Sequence, residues 1–227
     1  AGAMSGLQVP KVRETLDRLH SAAANELPAV ALGFLRAFGR GIEPRDFAKA
    51  YIAVGPEQGR LLYALAVTAK ARGIVEFGTS FGISTIYLAA AAREWGGHVI
   101  TTEIEPEKCR VARGNLADAG LSSVVTVLEG DAEATLPTTS GQIDLLFLDA
   151  WSRHYVPLLR LLAPRFRPGT LIIRDNAGRG EASGYVPFIA DRPESFVRSL
   201  LKVAGRPTEV VIYLGASKDL PPERDNP

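Results

Sequence analysis

The sequence predicts a doubly wound, mostly parallel α/β sheet, and three patterns along the chain support this fold class. Short apolar segments alternate with segments of helical periodicity between residues 74 and 173. Glycine-containing turns separate many of these segments from one another. Near the end of the chain, two strand-like segments follow each other without a helix between them. Alternating strands and helices favour a parallel sheet covered on both faces, and the last pair favours an antiparallel hairpin at one edge.

Each element is predicted from its apolar spacing and from the residue types at its ends. An N-terminal cap of two short helices is expected over residues 10–40, with a break near Leu27 and Pro28. The next helix is expected from Glu57 to Arg72, with Gly73 as its left-handed C-cap. The other predicted helices cover residues 84–94, 106–119 and 156–166, and the predicted strands cover residues 74–77, 98–102, 124–128, 143–148, 170–173, 196–201 and 209–214.

The composition is that of one globular domain. The 227 residues are 46% hydrophobic, which is enough to bury one sizeable core. We therefore expect a single domain over residues 5–227, made of a helical cap at 5–50, a core at 51–215 and a disordered tail at 216–227. The three residues before Met4 are interpreted as the remnant of a cleaved tag.

Charge and cysteine content narrow the expected partners and location. Lys plus Arg number 26 and Asp plus Glu number 25, and a net charge of +1 gives no reason to expect nucleic acid or an anionic membrane as a partner. The single cysteine, Cys109, cannot form an internal disulfide, which is typical of a reducing compartment. Because no apolar run has the length of a membrane span and no leader-like segment is found, we expect a soluble, cytoplasmic protein.

Glycines and acidic residues follow the predicted strands, which is where ligands bind in open α/β sheets. After the first strand, the segment from Gly78 to Gly82 permits a tight turn and a close approach of a ligand to the backbone. The second strand ends at Glu103, whose carboxylate can accept hydrogen bonds from both hydroxyls of a ribose. Together they predict a nucleoside-containing ligand, although the turn alone is also typical of a structural connection.

A dinucleotide-dependent dehydrogenase is the first alternative for such a ligand. The turn of those enzymes has a Gly-x-Gly-x-x-Gly spacing, which residues 78–82 lack. In addition, no tyrosine of the chain is followed by a lysine four residues later. Both observations disfavour the dehydrogenase interpretation.

Five segments lie at or just after the ends of predicted strands, in chain order: residues 76–85, residues 102–106, residues 129–132, the Leu148-Asp149-Ala150-Trp151 segment and the Asp175-Asn176 pair. Together they resemble the motifs of the cation-dependent O-methyltransferases, the family that includes catechol O-methyltransferase and caffeoyl-CoA O-methyltransferase. The resemblance extends from about Val54 to Gly215, most of the chain. It implies a seven-stranded, Rossmann-like methyltransferase fold that binds S-adenosylmethionine.

The same resemblance implies which residues contact that cofactor. Val54 and Ser84 would contact its methionine part, and Asp131 would flank the adenine, with Trp151 packed against the ring. The full set of implied cofactor contacts is Val54, Glu76, Gly78, Ser84, Glu103, Asp131, Ala132, Asp149 and Trp151.

Three oxygen-bearing side chains are predicted to meet at neighbouring strand ends. Asp149, Asp175 and Asn176 would leave open positions on a hard octahedral cation such as Mg²⁺, and two substrate oxygens could fill some of them. Such a cation would lower the pKa of a bound hydroxyl and align its oxygen with the sulfonium methyl group. The implied reaction is methyl transfer to a hydroxyl of a small molecule, such as a catechol-like, phenolic or natural-product acceptor.

The chain departs from the family at one catalytic position. Catechol-type members carry a lysine directly after the tryptophan, where it acts as the base on the acceptor hydroxyl, whereas this chain has Ser152. His154, a residue type with an ordinary pKa of about 6.5, is a candidate replacement, and a surface role for it is equally compatible with the sequence. Asp149 and His154 are therefore the catalytic candidates, and the substitution puts the acceptor class in question.

Two other functions stay open at this point. In a metal-independent methyltransferase of a natural-product pathway, Asp175 and Asn176 would only shape the pocket. In a protein that lost catalysis together with the lysine, cofactor binding would serve an interaction surface instead. We further expect residues 178–193, which contain three glycines, to form a mobile lid, and the apolar N-terminal helices to favour a homodimer over a monomer.

Overall fold

The computed structural model of the chain describes residues 5–25, 54–177 and 184–215. The second helix of the predicted cap, the first part of the predicted lid and the predicted tail lie outside these residues. Within these three ranges, no helix combines the length and the apolar character needed to cross a lipid bilayer.

The described helices and strands alternate along most of the chain. The α-helices, which we number in chain order, are α1 (Pro10–Ala24), α2 (Pro56–Thr68), α3 (Ile83–Glu94), α4 (Pro106–Asp118), α5 (Ala132–Thr135), α6 (Tyr155–Leu162) and α7 (Tyr185–Ala190). The strands are β1 (Gly73–Phe77), β2 (His98–Glu103), β3 (Val125–Glu129), β4 (Ile143–Leu148), β5 (Phe166–Arg174), β6 (Phe196–Val203) and β7 (Arg206–Tyr213). Short 3₁₀ turns cover Gly6–Gln8, Ser122–Val124, Leu136–Thr138, Ser152–His154 and Ala163–Arg165.

The seven strands form one mixed sheet in the order β3-β2-β1-β4-β5-β7-β6. Strands β1 to β5 pair in parallel, and β7 pairs antiparallel with both β5 and β6. The strand order reverses between β1 and β4, which places the crevice typical of open α/β sheets beyond the carboxyl ends of these two strands. The predicted fold class, with its C-terminal antiparallel hairpin, is confirmed.

Both faces of the sheet are covered, as the composition of its central strand requires. Every residue of β4 is buried. From Leu145 to Leu148 its side chains alternate between two apolar clusters, because successive residues of a strand point to opposite faces. Leu145 and Phe147 belong to the cluster that includes Leu62 of α2 and Leu88 of α3. Leu146 and Leu148 belong to the cluster formed with α6 and α7.

The turn between α2 and β1 differs from the prediction. Helix α2 ends at Thr68, and the residue in the left-handed conformation is Lys70, with φ of 51°. The Ala71 N–H donates to Ala66 O at 2.9 Å, a hydrogen bond typical of a Schellman motif. Gly73 is instead the first residue of β1, where a Cβ atom would lie 2.0 Å from Gln142 O. The prediction of Gly73 as the C-cap is therefore wrong, because close strand contact requires the glycine.

The segment around residue 164 also differs from the prediction. Helix α6 ends at Leu162, and the 3₁₀ turn Ala163–Arg165 leads directly into β5. Pro164 has no N–H to continue the helix, which accounts for the early end. Strand β5 is consequently longer than expected and begins at Phe166, whose ring contacts that of Tyr213 on β7.

A buried ion pair joins the hairpin to β5. Arg174 and Glu209 are 1% and 0% exposed, and Nε of the arginine lies 3.0 Å from a carboxylate oxygen of the glutamate. Arg198 of β6 pairs with the same carboxylate. These ion pairs hold the end of β5 against the hairpin of β6 and β7. The first residues of the candidate site follow directly after this strand end.

Candidate active site

The residues after β1, β4 and β5 lie side by side at one edge of the sheet. Phe77 is paired with Leu148, which is paired in turn with Arg174. The ladder continues one residue further, because Asp149 N donates to Phe77 O at 3.0 Å and Asp175 N donates to Leu148 O at 3.2 Å. The structure therefore brings Asp149 and Asp175 to neighbouring positions, as the strand-end argument predicts.

Gly78 makes the approach of β1 to β4 possible at this edge. Its φ is 104°, and a Cβ atom would lie 2.7 Å from Asp149 O. The turn continues through Ser80, with φ of 49°, and Gly82, with φ of 89°, into α3. The turn therefore starts in close contact with the backbone of Asp149.

Glu103 is oriented by the backbone at the end of β2. One carboxylate oxygen accepts the N–H of Ser80 at 2.8 Å. The other accepts the N–H groups of Ile104 and Glu105 at 3.0 Å and 3.1 Å. These contacts fix the carboxylate beside the Gly78–Gly82 turn, while the residue stays partly exposed.

Asp131 and Ala132 follow β3 at the same edge. The Asp131 side chain accepts the N–H of Glu133 at 2.9 Å and caps the short helix α5. Asp131 is exposed, whereas Ala132 is 5% exposed. Gly130 N donates to Glu103 O at 2.9 Å, so this turn is held against the end of β2.

Glu76 is a fully buried carboxyl group behind the Gly78–Gly82 turn. One of its oxygens accepts the hydroxyls of Thr85 at 2.5 Å and Thr101 at 2.6 Å. The other, Oε1, has no hydrogen-bond partner within the described part of the chain. Burial raises the pKa of Glu76, and the hydroxyls of Ser84, Thr101 and Thr85 oppose this rise. Val54, 2% exposed, and Ser84, 5% exposed, are buried as well.

A cavity of about 180 Å³ opens next to these turns. Its lining comprises Asp149, Ala150, Trp151, Ser152, Tyr155, Asp175 and Asn176. Burial raises the pKa of Asp149 well above its ordinary value, and the carboxylates of Asp175 and Glu76 raise it further, while Arg206 acts in the opposite direction. The cavity is therefore an acidic pocket with more negative than positive charge around Asp149.

Asp175 is held by three N–H groups. Its Oδ1 atom accepts the N–H of Asn176 at 2.6 Å and a short hydrogen bond from Nε2 of Gln58. Its Oδ2 atom accepts Nδ2 of Asn176 at 2.9 Å. Asp175 is 4% exposed, and Asn176 adopts the left-handed conformation with φ of 52°. The pair at the end of β5 is thus rigidly built and still borders the cavity.

The donor set around the cavity fits a hard divalent cation. Two carboxylates and one amide offer the oxygen ligands that Mg²⁺ prefers. Burial, followed by the neighbouring carboxylates, raises the pKa of Asp149, and a cation would offset both effects. No group of three or more His, Cys, Asp or Glu side chains that could hold a metal occurs in residues 5–25, 54–177 and 184–215. A cation here would therefore depend on Asn176 and on ligands from a bound substrate.

The predicted base, His154, lies beside the cavity but does not line it. Its Nδ1 atom lies 2.5 Å from a Glu133 oxygen, and its Nε2 atom accepts a hydrogen bond from Arg153 at 3.0 Å. Both ring nitrogens are thus engaged by surface neighbours. Ser152 and Trp151 do line the cavity, and the guanidinium of Arg153 lies 5.7 Å from the centre of the Trp151 ring.

Sequence reasoning missed Gln58, the side chain that contacts Asp175 from α2. It lies three residues before Leu61 and four before Leu62, on the apolar face of the predicted helix. It is 2% exposed. A polar residue on an apolar helix face is a signal that could have identified it, since buried amides require partners.

Comparison with known proteins places this geometry in context. The sequence model of a protein family described as a methyltransferase domain matches residues 75–177. This range includes the ends of β1 to β5, where the candidate site lies. The chain is 42% identical to a catechol O-methyltransferase from Mycobacterium tuberculosis over 130 residues, 57% of this chain and 59% of that protein. This chain therefore spans less than two thirds of the length of that curated relative.

Two further similarities extend over more of the chain. A crystal structure of an O-methyltransferase from Bacillus cereus in complex with SAH is 24% identical, covers 92% of this chain and 94% of its own, and has a TM-score of 0.70, which supports the fold. A putative O-methyltransferase from Mycobacterium sp. (strain JLS) is 32% identical over 172 residues, 72% of this chain and 76% of that protein. By this extent of similarity, the chain belongs to the O-methyltransferase family.

Proposed function

We propose that the protein transfers the methyl group of S-adenosylmethionine to a hydroxyl group of a small molecule, aided by a divalent cation. One observation carries the proposal: the acidic cavity and the Gly78–Gly82 turn meet at Asp149. A methyl donor in the turn and a hydroxylated acceptor in the cavity would then be neighbours. Such positioning alone can supply a large part of the rate enhancement of a bimolecular transfer.

The contacts of Glu103 support an adenosyl ligand on the turn side. Its carboxylate is aimed by the backbone N–H groups of Ser80, Ile104 and Glu105. A carboxylate has about four acceptor sites, and three N–H groups leave capacity for a ribose hydroxyl. Asp131 and Ala132, at the end of the next strand, are the proposed neighbours of the adenine, and Trp151 of the cavity is the proposed stacking partner.

The cavity supports a small, hydroxylated acceptor. An engineered apolar cavity of about 150 Å³ holds benzene, so a volume of about 180 Å³ has room for one aromatic ring. Asp149, Asp175 and Asn176 would hold the divalent cation. When bound, it would act as a Lewis acid that lowers the pKa of the acceptor hydroxyl. Asp149, where the cavity meets the turn, would place an acceptor oxygen next to the turn, and Trp151 supplies an aromatic side chain to the cavity lining.

The lining of the cavity bears on the class of acceptor. None of its seven residues is a lysine, arginine or histidine. Burial raises the pKa of Tyr155, whose hydroxyl donates to Ala150 O at 2.9 Å and so stays protonated. Because the described residues of the lining include no basic side chain, we infer that the acceptor carries an acidic hydroxyl, such as that of a phenol or catechol, rather than an aliphatic one. His154 would act only after leaving Glu133 and Arg153.

Calorimetric titration with S-adenosylhomocysteine, with and without Mg²⁺, tests the cofactor part of this proposal. We expect wild-type protein to bind, and Glu103→Ala to bind at least tenfold more weakly, a loss of about 1.4 kcal/mol. Glu105→Ala, which changes the adjacent acid, is the matched control and is expected to bind as the wild type does. Absence of binding under all conditions would refute the methyltransferase proposal for this chain.

Activity on a panel of hydroxylated acceptors distinguishes the remaining alternatives. Turnover that EDTA abolishes and Mg²⁺ restores supports the cation, whereas turnover in EDTA supports a metal-independent enzyme. Cofactor binding without turnover of any acceptor would support a protein that has lost catalysis. The homodimer, the cytoplasmic location and the absence of nucleic-acid or membrane partners stay predictions of the sequence.

A further inference from the structure

Gln58 joins the first turn of α2 to the end of β5. It is 2% exposed, and its side-chain amide donates from Nε2 to Asp175, 117 residues away in the chain. The same nitrogen donates to the Thr208 hydroxyl of β7 at 3.1 Å. One amide thus connects a helix that begins beside Val54 with the end of β5, which borders the acidic cavity, and with β7.

The orientation of this amide follows from its partner. A carboxylate only accepts hydrogen bonds, so the nitrogen and not the oxygen of Gln58 faces Asp175. Its oxygen, Oε1, is buried and has no hydrogen-bond partner in the described ranges. Leaving a buried acceptor without a donor costs stability. The hydrogen bonds that Gln58 makes within the described residues are therefore those of its nitrogen, to Asp175 and to Thr208.

The position of Gln58 is rigid because of its neighbour. Gly59 lies against the ring of Tyr87 of α3, where a Cβ atom would lie 2.1 Å from a ring carbon. This close packing holds α2 against α3 and leaves the first turn of α2 little freedom to shift. Gln58 accordingly presents its amide to Asp175 from a fixed support.

The contacts of Asp175 show what this amide does for the site. Two N–H groups, of Gln58 and Asn176, saturate Oδ1, whereas Oδ2 accepts a single N–H. An ionised carboxylate oxygen has about two acceptor sites. Remaining capacity therefore lies on Oδ2, the oxygen available to a ligand in the cavity.

We propose that Gln58 is a positioning residue that locks the Asp175 carboxylate with Oδ2 available to a divalent cation in the cavity. This inference rests on the proposed function and adds a residue from α2 that does not line the cavity. Without the amide, Asp175 would lose a donor to Oδ1 and could rotate, and its oxygens would no longer be fixed toward the cation. The S-adenosylhomocysteine side of the site would be unaffected.

The test compares cation binding with cofactor binding in the purified full chain, without turnover. Mn²⁺ is the probe because it shares the oxygen preference of Mg²⁺ and is detected by electron paramagnetic resonance. The variant Gln58→Met keeps an unbranched side chain of similar length and removes the N–H donor. We expect it to bind Mn²⁺ at least about tenfold more weakly and S-adenosylhomocysteine within about threefold of wild type.

Thr208→Val is the matched control, because it removes the other partner of the same amide and leaves the contact with Asp175. We expect both affinities of this variant to stay within about threefold of wild type. Gln58→Asn, which keeps the amide but is too short to reach Asp175, is expected to behave like Gln58→Met and replaces it if that variant does not fold. Circular dichroism establishes folding in each case.

Each remaining outcome overturns the inference. Wild-type affinity for Mn²⁺ in both Gln58 variants would show that the amide does not position Asp175. Equal losses in Thr208→Val, or equal losses of Mn²⁺ and S-adenosylhomocysteine, would show a merely structural role. Wild-type protein that binds S-adenosylhomocysteine but not Mn²⁺ overturns this inference and leaves the cofactor site intact, whereas binding of neither refutes the proposed function itself.

Discussion

Strand β4 has an aspartate at each end, and the fold shifts the pKa values of the two carboxyl groups in opposite directions. Asp144 lies near the amino end of the strand and Asp149 directly after its carboxyl end. The fold lowers the pKa of Asp144 and raises that of Asp149. The comparison shows that the fold itself stabilises the ionised carboxylate at one edge of the sheet and disfavours it at the other.

At the amino edge, the fold supplies donors to the carboxylate. Asp144 accepts the N–H groups of Arg72 at 2.7 Å and Gly73 at 2.9 Å, and Nε of Arg167 at 2.7 Å. Burial by itself would raise the pKa of Asp144, but these donors outweigh burial and lower it. The ionised form is therefore stabilised by the protein alone.

At the carboxyl edge, the fold supplies further acids. Burial is the largest cause of the raised pKa of Asp149, followed by the carboxylates of Asp175 and Glu76. Buried negative charge without compensation is costly and is typical of functional sites. In the proposed cation site, a bound cation would balance this charge.

The largest effect on stability is expected from Asp144→Ala. The change leaves two backbone N–H groups and one guanidinium without their acceptor, and we expect the free energy of unfolding to fall by about 2–3 kcal/mol. Urea denaturation measures it. Asp118→Ala, which breaks the exposed pair with Arg18, is the control and should cost less than about 1 kcal/mol. Similar costs for both variants would show that the amino edge has no special role in stability.

A smaller effect with a distinctive pH dependence is expected from Asp149→Asn in EDTA. The raised pKa means that wild-type protein loses stability relative to this variant as pH rises from the ordinary value of 3.8 through the folded-state pKa. The direction of the shift fixes the sign of the effect: the stability of Asp149→Asn relative to wild type should rise over this pH range. Urea denaturation at a series of pH values measures the difference.

The stability contributed by Asp144 should depend on pH in the opposite direction to that of Asp149. Its folded-state pKa is lowered, so the stability that it contributes is present above 3.8 and is lost as pH falls through the folded-state pKa. The advantage of wild type over Asp144→Ala should thus shrink toward acid, while that of Asp149→Asn over wild type should grow toward neutral pH. Parallel curves for the two variants would contradict the contrast between the edges.

Much of the fold and part of the site could be predicted from the sequence. Short apolar segments identify buried strands, since only a covered sheet accommodates them, and the strand order places the residues after them at one edge. For this reason Asp149 and Asp175 meet as expected. The antiparallel hairpin was also predictable, because no helix could fit between its strands.

The rest depends on contacts between residues far apart in the chain. The amide of Gln58 reaches Asp175 across 117 residues, and no local pattern encodes that pairing. Similarly, His154 is drawn to Glu133 of α5, 21 residues earlier, so a residue type suited to catalysis lies beside the cavity rather than in its lining. Side-chain pairing across elements decides such details, and the spacing of residue types does not specify it.

The smallest effect is expected at the turn that leads into the amino edge. Lys70 adopts the left-handed conformation, with φ of 51°, which is strained for a residue with a Cβ atom. Its ammonium group lies 5.3 Å from the centre of the Trp95 ring. Lys70→Gly and Lys70→Ala both lose this cation–π contact, but only glycine relieves the backbone. We therefore expect Lys70→Gly to be more stable than Lys70→Ala by about 1 kcal/mol in thermal or urea unfolding. Equal stability of the two variants would show that the turn before Arg72 and Gly73, the residues that donate to Asp144, relaxes without cost.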